Sequence, residues 1–236
     1  MSGMLVFSSE LRAVNTAPDS ENRIHGDLAA RYGFRGGLVP GVTIYGYLLD
    51  AVRSLGPVAW AKLRLLAPFY DGDQVQIQIA QEAGQWTAQA LGVDGMVHAH
   101  VEAGPERQEP FHEVPAAADL PAERPLANES NLESGIALGA VQAAPQLPGA
   151  AGELELANRI LMANRQLPPW IHTGSEIRFH APWPESAIEI RGRIAERFER
   201  KGHQFVRLDV AYLATGGQLV QTLRHTAIWR LREPGD

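Results

Sequence analysis

Residues 63–69 read LRLLAPF, and residues 177–183 read IRFHAPW. The two heptads share Arg64 and Arg178, Ala67 and Ala181, Pro68 and Pro182, and an aromatic residue at Phe69 and Trp183. Each follows a helix-like apolar segment and leads into an alternating strand, VQI (75–77) in one case and IEI (188–190) in the other. A match of this length carries little by itself. At the same place in the same helix-then-strands order, it reads as an internal repeat. The chain therefore parses as two copies of one unit, a central helix wrapped by antiparallel sheet.

Upstream of the first heptad, VTIYGYLLDAVRS (42–54) follows Pro40-Gly41 and is apolar almost all round. That pattern predicts a helix buried on most sides. Its counterpart, GELELANRILMANR (152–165), follows Pro148-Gly149 and is more amphipathic. Downstream, QVQIQI (74–79) puts Val75, Ile77 and Ile79 on one face, as a half-buried strand requires. Residues 85–103 predict a hairpin about Val93-Asp94-Gly95, since Asp-Gly readily supplies the positive φ of a tight turn. Residues 187–231 predict three long strands with turns near Lys201-Gly202 and Gly216-Gly217. Between the copies, residues 104–150 hold seven of the 16 prolines and few aromatics, which predicts an irregular crossover. The expected division is an N-terminal unit over 1–108, a linker over 109–130 and a C-terminal unit over 131–236.

Composition narrows the function. Hydrophobic residues make up 45% of the 236, enough for an ordinary core and too many for wholesale disorder. A net charge of −6 argues against a sequence-independent nucleic-acid binder. With no cysteine, disulfides and thiolate chemistry are excluded. The start, MSGMLVFSSE, has neither a basic region nor an apolar run of signal length, and no stretch is apolar enough to span a membrane. The expectation is a soluble cytoplasmic protein.

The stretch NRIHGDLAARYGFRGGLVPGVTIYGYLL (22–49) carries the site argument. With its flanks, it resembles the MaoC-like hydratase/dehydratase superfamily, whose motif D-x-N-P-x-H precedes a short helix, a Gly-aromatic pair and the entrance to a central helix. SENRIH (20–25) occupies that place, and Asn22, His25, Gly33-Phe34 and Gly41 match position by position. The entrance VPGVTI looks more like that of β-hydroxyacyl carrier-protein dehydratases. Two departures stand out. The motif aspartate falls on Ser20 and its proline on Arg23, while the carrier-protein dehydratases' helix glutamate falls on Gly46. The resemblance implies an α+β double hot-dog fold, two central helices wrapped by antiparallel β-sheet. The site residues it carries are confined to residues 20–50.

Hydration of an enoyl thioester needs a base for water, an acid for the α carbon and donors for the enolate oxygen. His25 suits the base, and the resemblance implies Asn22 as its orienter. The N–H groups opening the buried helix suit the oxyanion, which makes Gly41, Val42 and Gly37 the substrate-binding candidates. The acid partner stays open between Ser20 and Asp19. Glu21 reads as a solvated loop residue and Asp27 as a first-turn charge of the GDLAARYG helix. Tyr45 and Tyr47 read as core, His98 and His100 as a solvent-facing pair without a third metal ligand, and His225 as a hydrogen-bonded core histidine. Arg64 and Arg178 read as sheet-edge salt bridges, and His172 receives no role. No histidine lies between His112 and His172, so nothing before the second helix imitates NRIH and one site per chain is expected.

The leading expectation is a hydro-lyase catalysing reversible 2-enoyl hydration and 3-hydroxyacyl dehydration. A hot-dog thioesterase is the alternative, and a non-catalytic acyl-thioester binder the third reading. No cofactor or metal is expected beyond the coenzyme A or carrier protein of the substrate itself. No nucleic-acid or membrane partner is expected, and a homo-dimer through sheet edges stays open.

Overall fold

The computed structural model describes residues 3–144 and 149–232, so Pro148 of the expected Pro148-Gly149 entrance lies outside the described residues. In chain order the elements are β1 (Met4–Arg12), α1 (Gly41–Leu55), β2 (Trp60–Leu65), β3 (Gln74–Glu82), β4 (Gln85–Leu91), β5 (Val97–Gly104), β6 (Ala137–Ala143), α2 (Gly149–Asn164), β7 (Ile171–Phe179), β8 (Ile188–Arg200), β9 (His203–Ala214) and β10 (Leu219–Arg230). The strands form one antiparallel sheet in the order β1-β3-β4-β5-β2-β7-β10-β9-β8-β6. Read from either edge the order repeats, with β1 answering to β6, β3 to β8, β4 to β9, β5 to β10 and β2 to β7. This is the double hot-dog fold.

The copies meet where the two heptads begin, at the β2–β7 pairing. Trp60 lies opposite Arg178, Leu63 opposite Ser175 and, at the middle, Lys62 opposite Glu176. Lys62 and Glu176 are equivalent positions of the repeat, and their opposite charges pair at 3.2 Å. Each half of the sheet wraps its own helix. The buried face of α1 carries Ile44, Tyr45, Leu48, Leu49 and Val52, and that of α2 carries Leu154, Ala157, Ile160 and Leu161. The helices also touch each other. A Cβ on Gly46 would come within 2.8 Å of the Ala151 Cβ, so glycine there lets the helices approach. One continuous core runs through both copies.

Several local expectations are corrected. Residues 4–12, whose sequence carries no clear strand signal, form an edge strand, β1, paired with β3. Residues 104–150 are not wholly irregular. They contain β6, and Leu132 and Leu138 are fully buried. Edge strands such as β1 and β6 gain their pairing from the strand beside them, so their own alternation is weak. The GDLAARYG segment forms a 3-10 turn, Asp27–Tyr32, ended by Gly33 at φ 83°. His98 and His100 are half-buried rather than solvent-facing: His98 donates from Nδ1 to the Pro68 carbonyl at 3.1 Å, and its ring lies 4.5 Å from Phe69. Arg178 stacks 3.9 Å above the Phe111 ring instead of joining an edge salt bridge. Tyr45 is core, whereas Tyr47 is half-buried, and its hydroxyl accepts from the Val14 N–H at 3.2 Å. Among the described residues, no helix is long and apolar enough to cross a membrane.

Candidate active site

The chain between β1 and α1 folds over the end of the sheet where the two copies meet. A one-turn 3-10 helix, Arg23–His25, carries the histidine, and buried Ile24 anchors it. The His25 Nδ1 lies 2.7 Å from the Leu38 carbonyl, so this nitrogen carries the hydrogen and donates. Its Nε2 is therefore the basic lone pair. Asn22 donates toward that nitrogen from Nδ2 at 3.3 Å. The same Nδ2 donates to the Trp170 carbonyl at 2.9 Å, and Asn22 Oδ1 accepts from the Trp170 N–H at 3.2 Å. The backbone of the second copy thus fixes which way the amide points. Burial lowers the His25 pKa below the usual histidine value, against a smaller upward pull from the Leu38 bond. The ring is held as a neutral base.

His25 opens into a cavity of about 650 Å³ whose wall runs from Thr16, Ser20 and Asn22 to the helix–helix contact at Gly46 and Ala151. Gly41, Val42 and Thr43 bring the first turn of α1 into this wall. Pro40, at the N-cap, makes no side-chain cap, and its carbonyl takes the N–H groups of Thr43 and Ile44. The Gly41 and Val42 N–H groups then have no acceptor within the helix, and the dipole favours negative charge there. The equivalent end of α2 is different, because the Asp50 carboxylate accepts from the Ala150 N–H at 3.0 Å and blocks it. One helix start is open to the cavity and the other is capped by the first helix.

The second copy contributes more than a wall. Glu155 and Asn158, three residues apart on α2, both line the cavity. The Asn158 amide donates to Glu155 Oε2 at 2.6 Å. Burial nevertheless pushes the Glu155 carboxyl above its ordinary value, toward the protonated form, with the Asn158 bond working the other way. From β7, His172 reaches the same cavity. It is buried, and that burial drives its pKa down to about 3.

The sequence candidates distribute as follows. Asn22, His25, Ser20, Gly41 and Val42 line the cavity. Ser20 donates to the Asn22 carbonyl at 3.2 Å. Asp19 is exposed and lies outside the lining. Gly37 is also outside it; a Cβ there would stand 2.1 Å from the His25 carbonyl oxygen, so this glycine seats the histidine turn. Glu21 pairs with Arg124 at 3.0 Å and Asp27 with Arg23 at 2.6 Å, both at the surface. Among the described residues, no cluster of three histidine, aspartate or glutamate side chains could hold a metal. Sequence reasoning passed over Glu155, Asn158 and His172. The signal for the first two was a carboxylate and an amide on one face of the second helix, ELAN (155–158).

No family model matches the chain, and no curated protein matches its sequence. Solved structures do match. RV0216 of Mycobacterium tuberculosis, described as having a double hotdog fold, superposes at a TM-score of 0.64 with 12% identity, covering 97% of this chain and 96% of that one. A putative oleoyl thioesterase from Lactobacillus plantarum superposes at 0.58 with 11% identity over 98% of both chains. An isomerase-inactive variant of GphF DH1 superposes at 0.55 with 14% identity, covering 97% and 92%. At these identities the likeness is one of fold.

Proposed function

We propose that the chain is an acyl-thioester hydro-lyase, adding water across a 2,3-enoyl thioester and removing it in reverse. The carrying observation is that His25, whose Nδ1 is committed to the Leu38 carbonyl, and the buried Glu155 carboxyl line one cavity with the open start of α1. Hydration uses all three. His25 Nε2 takes a proton from water as the oxygen bonds to C3. The electrons of the double bond move onto the thioester, whose enolate oxygen is met by the Gly41 and Val42 N–H groups. Glu155 then delivers its proton to C2, and the enolate collapses to the 3-hydroxyacyl thioester. Asn22 holds the His25 ring against the second copy. The fold likeness to both thioesterases and a DH domain supports acyl-thioester chemistry in general.

Hydrolysis of the thioester is the second reading, since the same oxyanion donors serve it. Burial raises the Glu155 carboxyl above its ordinary value, a direction that suits a proton donor better than the ionised base or nucleophile of hydrolysis. Crotonyl-coenzyme A separates the two. Loss of enoyl absorbance without free thiol is expected, with Glu155→Gln lowering kcat by about 100-fold or more. Thiol release by the wild type, insensitive to Glu155→Gln, would overturn the proposal in favour of hydrolysis.

A further inference from the structure

The repeat that divides the fold also marks a second cavity. Residues 65–69, the end of the first heptad, all line the cavity that holds His25. Residues 179–183, the same positions of the second heptad, all line a separate cavity of about 490 Å³. Because β2 and β7 run antiparallel, the two heptads finish at opposite ends of the sheet. The described linings of the two cavities share no residue. The second cavity is thus the counterpart of the first in the other copy, and its volume is that of a small-molecule site.

Its chemistry is different. No histidine between His112 and His172 answers to His25, and the start of α2 is closed by the Asp50 carboxylate, which accepts from the Ala150 N–H at 3.0 Å. An ion pair between the helices stands here instead. Arg53, in the last turn of α1, donates from its two terminal nitrogens to the two carboxylate oxygens of Glu153 on α2, at 2.7 and 2.8 Å. That pairing occupies two of the five guanidinium N–H groups and leaves three without a partner among the described residues. The Arg53 side chain is 30% exposed, so a ligand can reach it, and its guanidinium lies 4.9 Å from the centre of the Phe179 ring.

Other cations surround the same space. Arg107 is exposed, lines the cavity and makes no ion pair among the described residues. His180, also in the lining, has Nε2 2.9 Å from Thr222 Oγ1. Burial lowers the His180 pKa; Glu109 pulls it back up, and Arg107, Arg178 and His112 lower it further. Arg53, Arg107 and Arg178 therefore stand against Glu153 and Glu109, three guanidinium charges to two carboxylates. The described lining of the first cavity holds no lysine or arginine. Between the charges the second cavity is apolar, with Val58, Phe179, Pro182 and Trp183 in its wall.

We propose that the second cavity is a binding site for a small apolar carboxylate, its carboxylate held by Arg53 and Arg107 and its body lying against Phe179 and Trp183. The site binds without chemistry, and it stands whether or not the first cavity is a hydro-lyase centre.

The test uses the full chain labelled with 15N, phenylacetate as probe and phenylacetamide as its neutral counterpart. Phenylacetate is expected to shift the Trp183 indole and His180 signals saturably, leaving those of Trp170 and His25 in place. Phenylacetamide is expected to bind at least about tenfold more weakly, since it lacks the charge that the guanidinium groups meet. Arg107→Gln, an exposed substitution that leaves the core untouched, is expected to weaken phenylacetate about fivefold and phenylacetamide not at all. The double variant Arg53→Gln/Glu153→Gln, which removes both charges of the pair, is expected to weaken phenylacetate about tenfold; Arg107→Gln decides alone if the double variant does not fold. Shifts confined to Trp170 and His25 would place the ligand in the first cavity and overturn the proposal. No saturable shift, equal binding of acid and amide, or full affinity in Arg107→Gln would overturn it as well.

Discussion

Asn22→Ala is the substitution that most directly separates positioning from packing. The Asn22 amide spans the two copies, with Nδ2 on the Trp170 carbonyl at 2.9 Å and on His25 Nε2 at 3.3 Å, and Oδ1 taking the Trp170 N–H at 3.2 Å. Truncation leaves two backbone groups of Trp170 without these partners. Both bonds are only part-buried, so water replaces some of what is lost, and the expected cost is about 2 kcal/mol. For a chain of this size that is a fall in Tm of about 4–8 °C. The His25 effect has its own sign. A donor on Nε2 favours the neutral ring, and the exposed gap improves solvation of the cation, so the substitution raises the His25 pKa. Asn22→Asp raises it further, because a carboxylate beside Nε2 stabilises the imidazolium. Thermal melts and histidine-proton titration by NMR measure the two effects separately. An unchanged Tm together with an unchanged His25 titration in Asn22→Ala would refute the clamp.

Other outcomes follow from the same geometry. His25, His172 and His225 all have folded pKa values below the ordinary 6.5, so the unfolded chain binds protons that the folded chain does not. Their stabilisation is complete above about pH 6.5 and is lost as pH falls toward the folded values, by at most about 1.4 kcal/mol per pH unit for each group. Glu155, raised, acts in the opposite sense, since its contribution improves as pH falls toward the unfolded value of 4.5. The three histidines outweigh it, and urea midpoints should drop between pH 7 and 5; a flat or rising midpoint would contradict the burial argument. Gly37→Ala places a Cβ 2.1 Å from the His25 carbonyl oxygen, a backbone atom that cannot give way. It should cost about 2–4 kcal/mol in denaturant melts and disturb His25 even in the folded fraction. Lys62→Ala, at the centre of the β2–β7 junction, removes only a half-exposed ion pair and should change stability by less than about 1 kcal/mol. A larger loss would mean that the junction depends on this charge pair.

Much of the fold was legible because its signals are local. Alternation in QVQIQI, the Asp-Gly turn and the two helix-like segments each depend on neighbours within a few residues, and the repeated heptads set them into two equivalent frames. Part of the cavity lining was legible for the same reason, since Asn22, His25 and Gly41 lie along one short stretch. The edges were not: β1 and β6 owe their pairing to the strands beside them.

The sequence by itself determined the repeat, the strand–helix order and the histidine with its helix start. Only the tertiary structure decided what completes them. A carboxylate does enter the cavity, from Glu155 on the other helix, near where Gly46 lets α1 and α2 touch. Asn22 finds its partner in Trp170, 148 residues away. A bulge at Thr173 breaks the period of two and turns His172 inward. The first two depend on contacts between the copies and the third on the pairing of β7 with β10 inside the second copy, none of which local periodicity encodes.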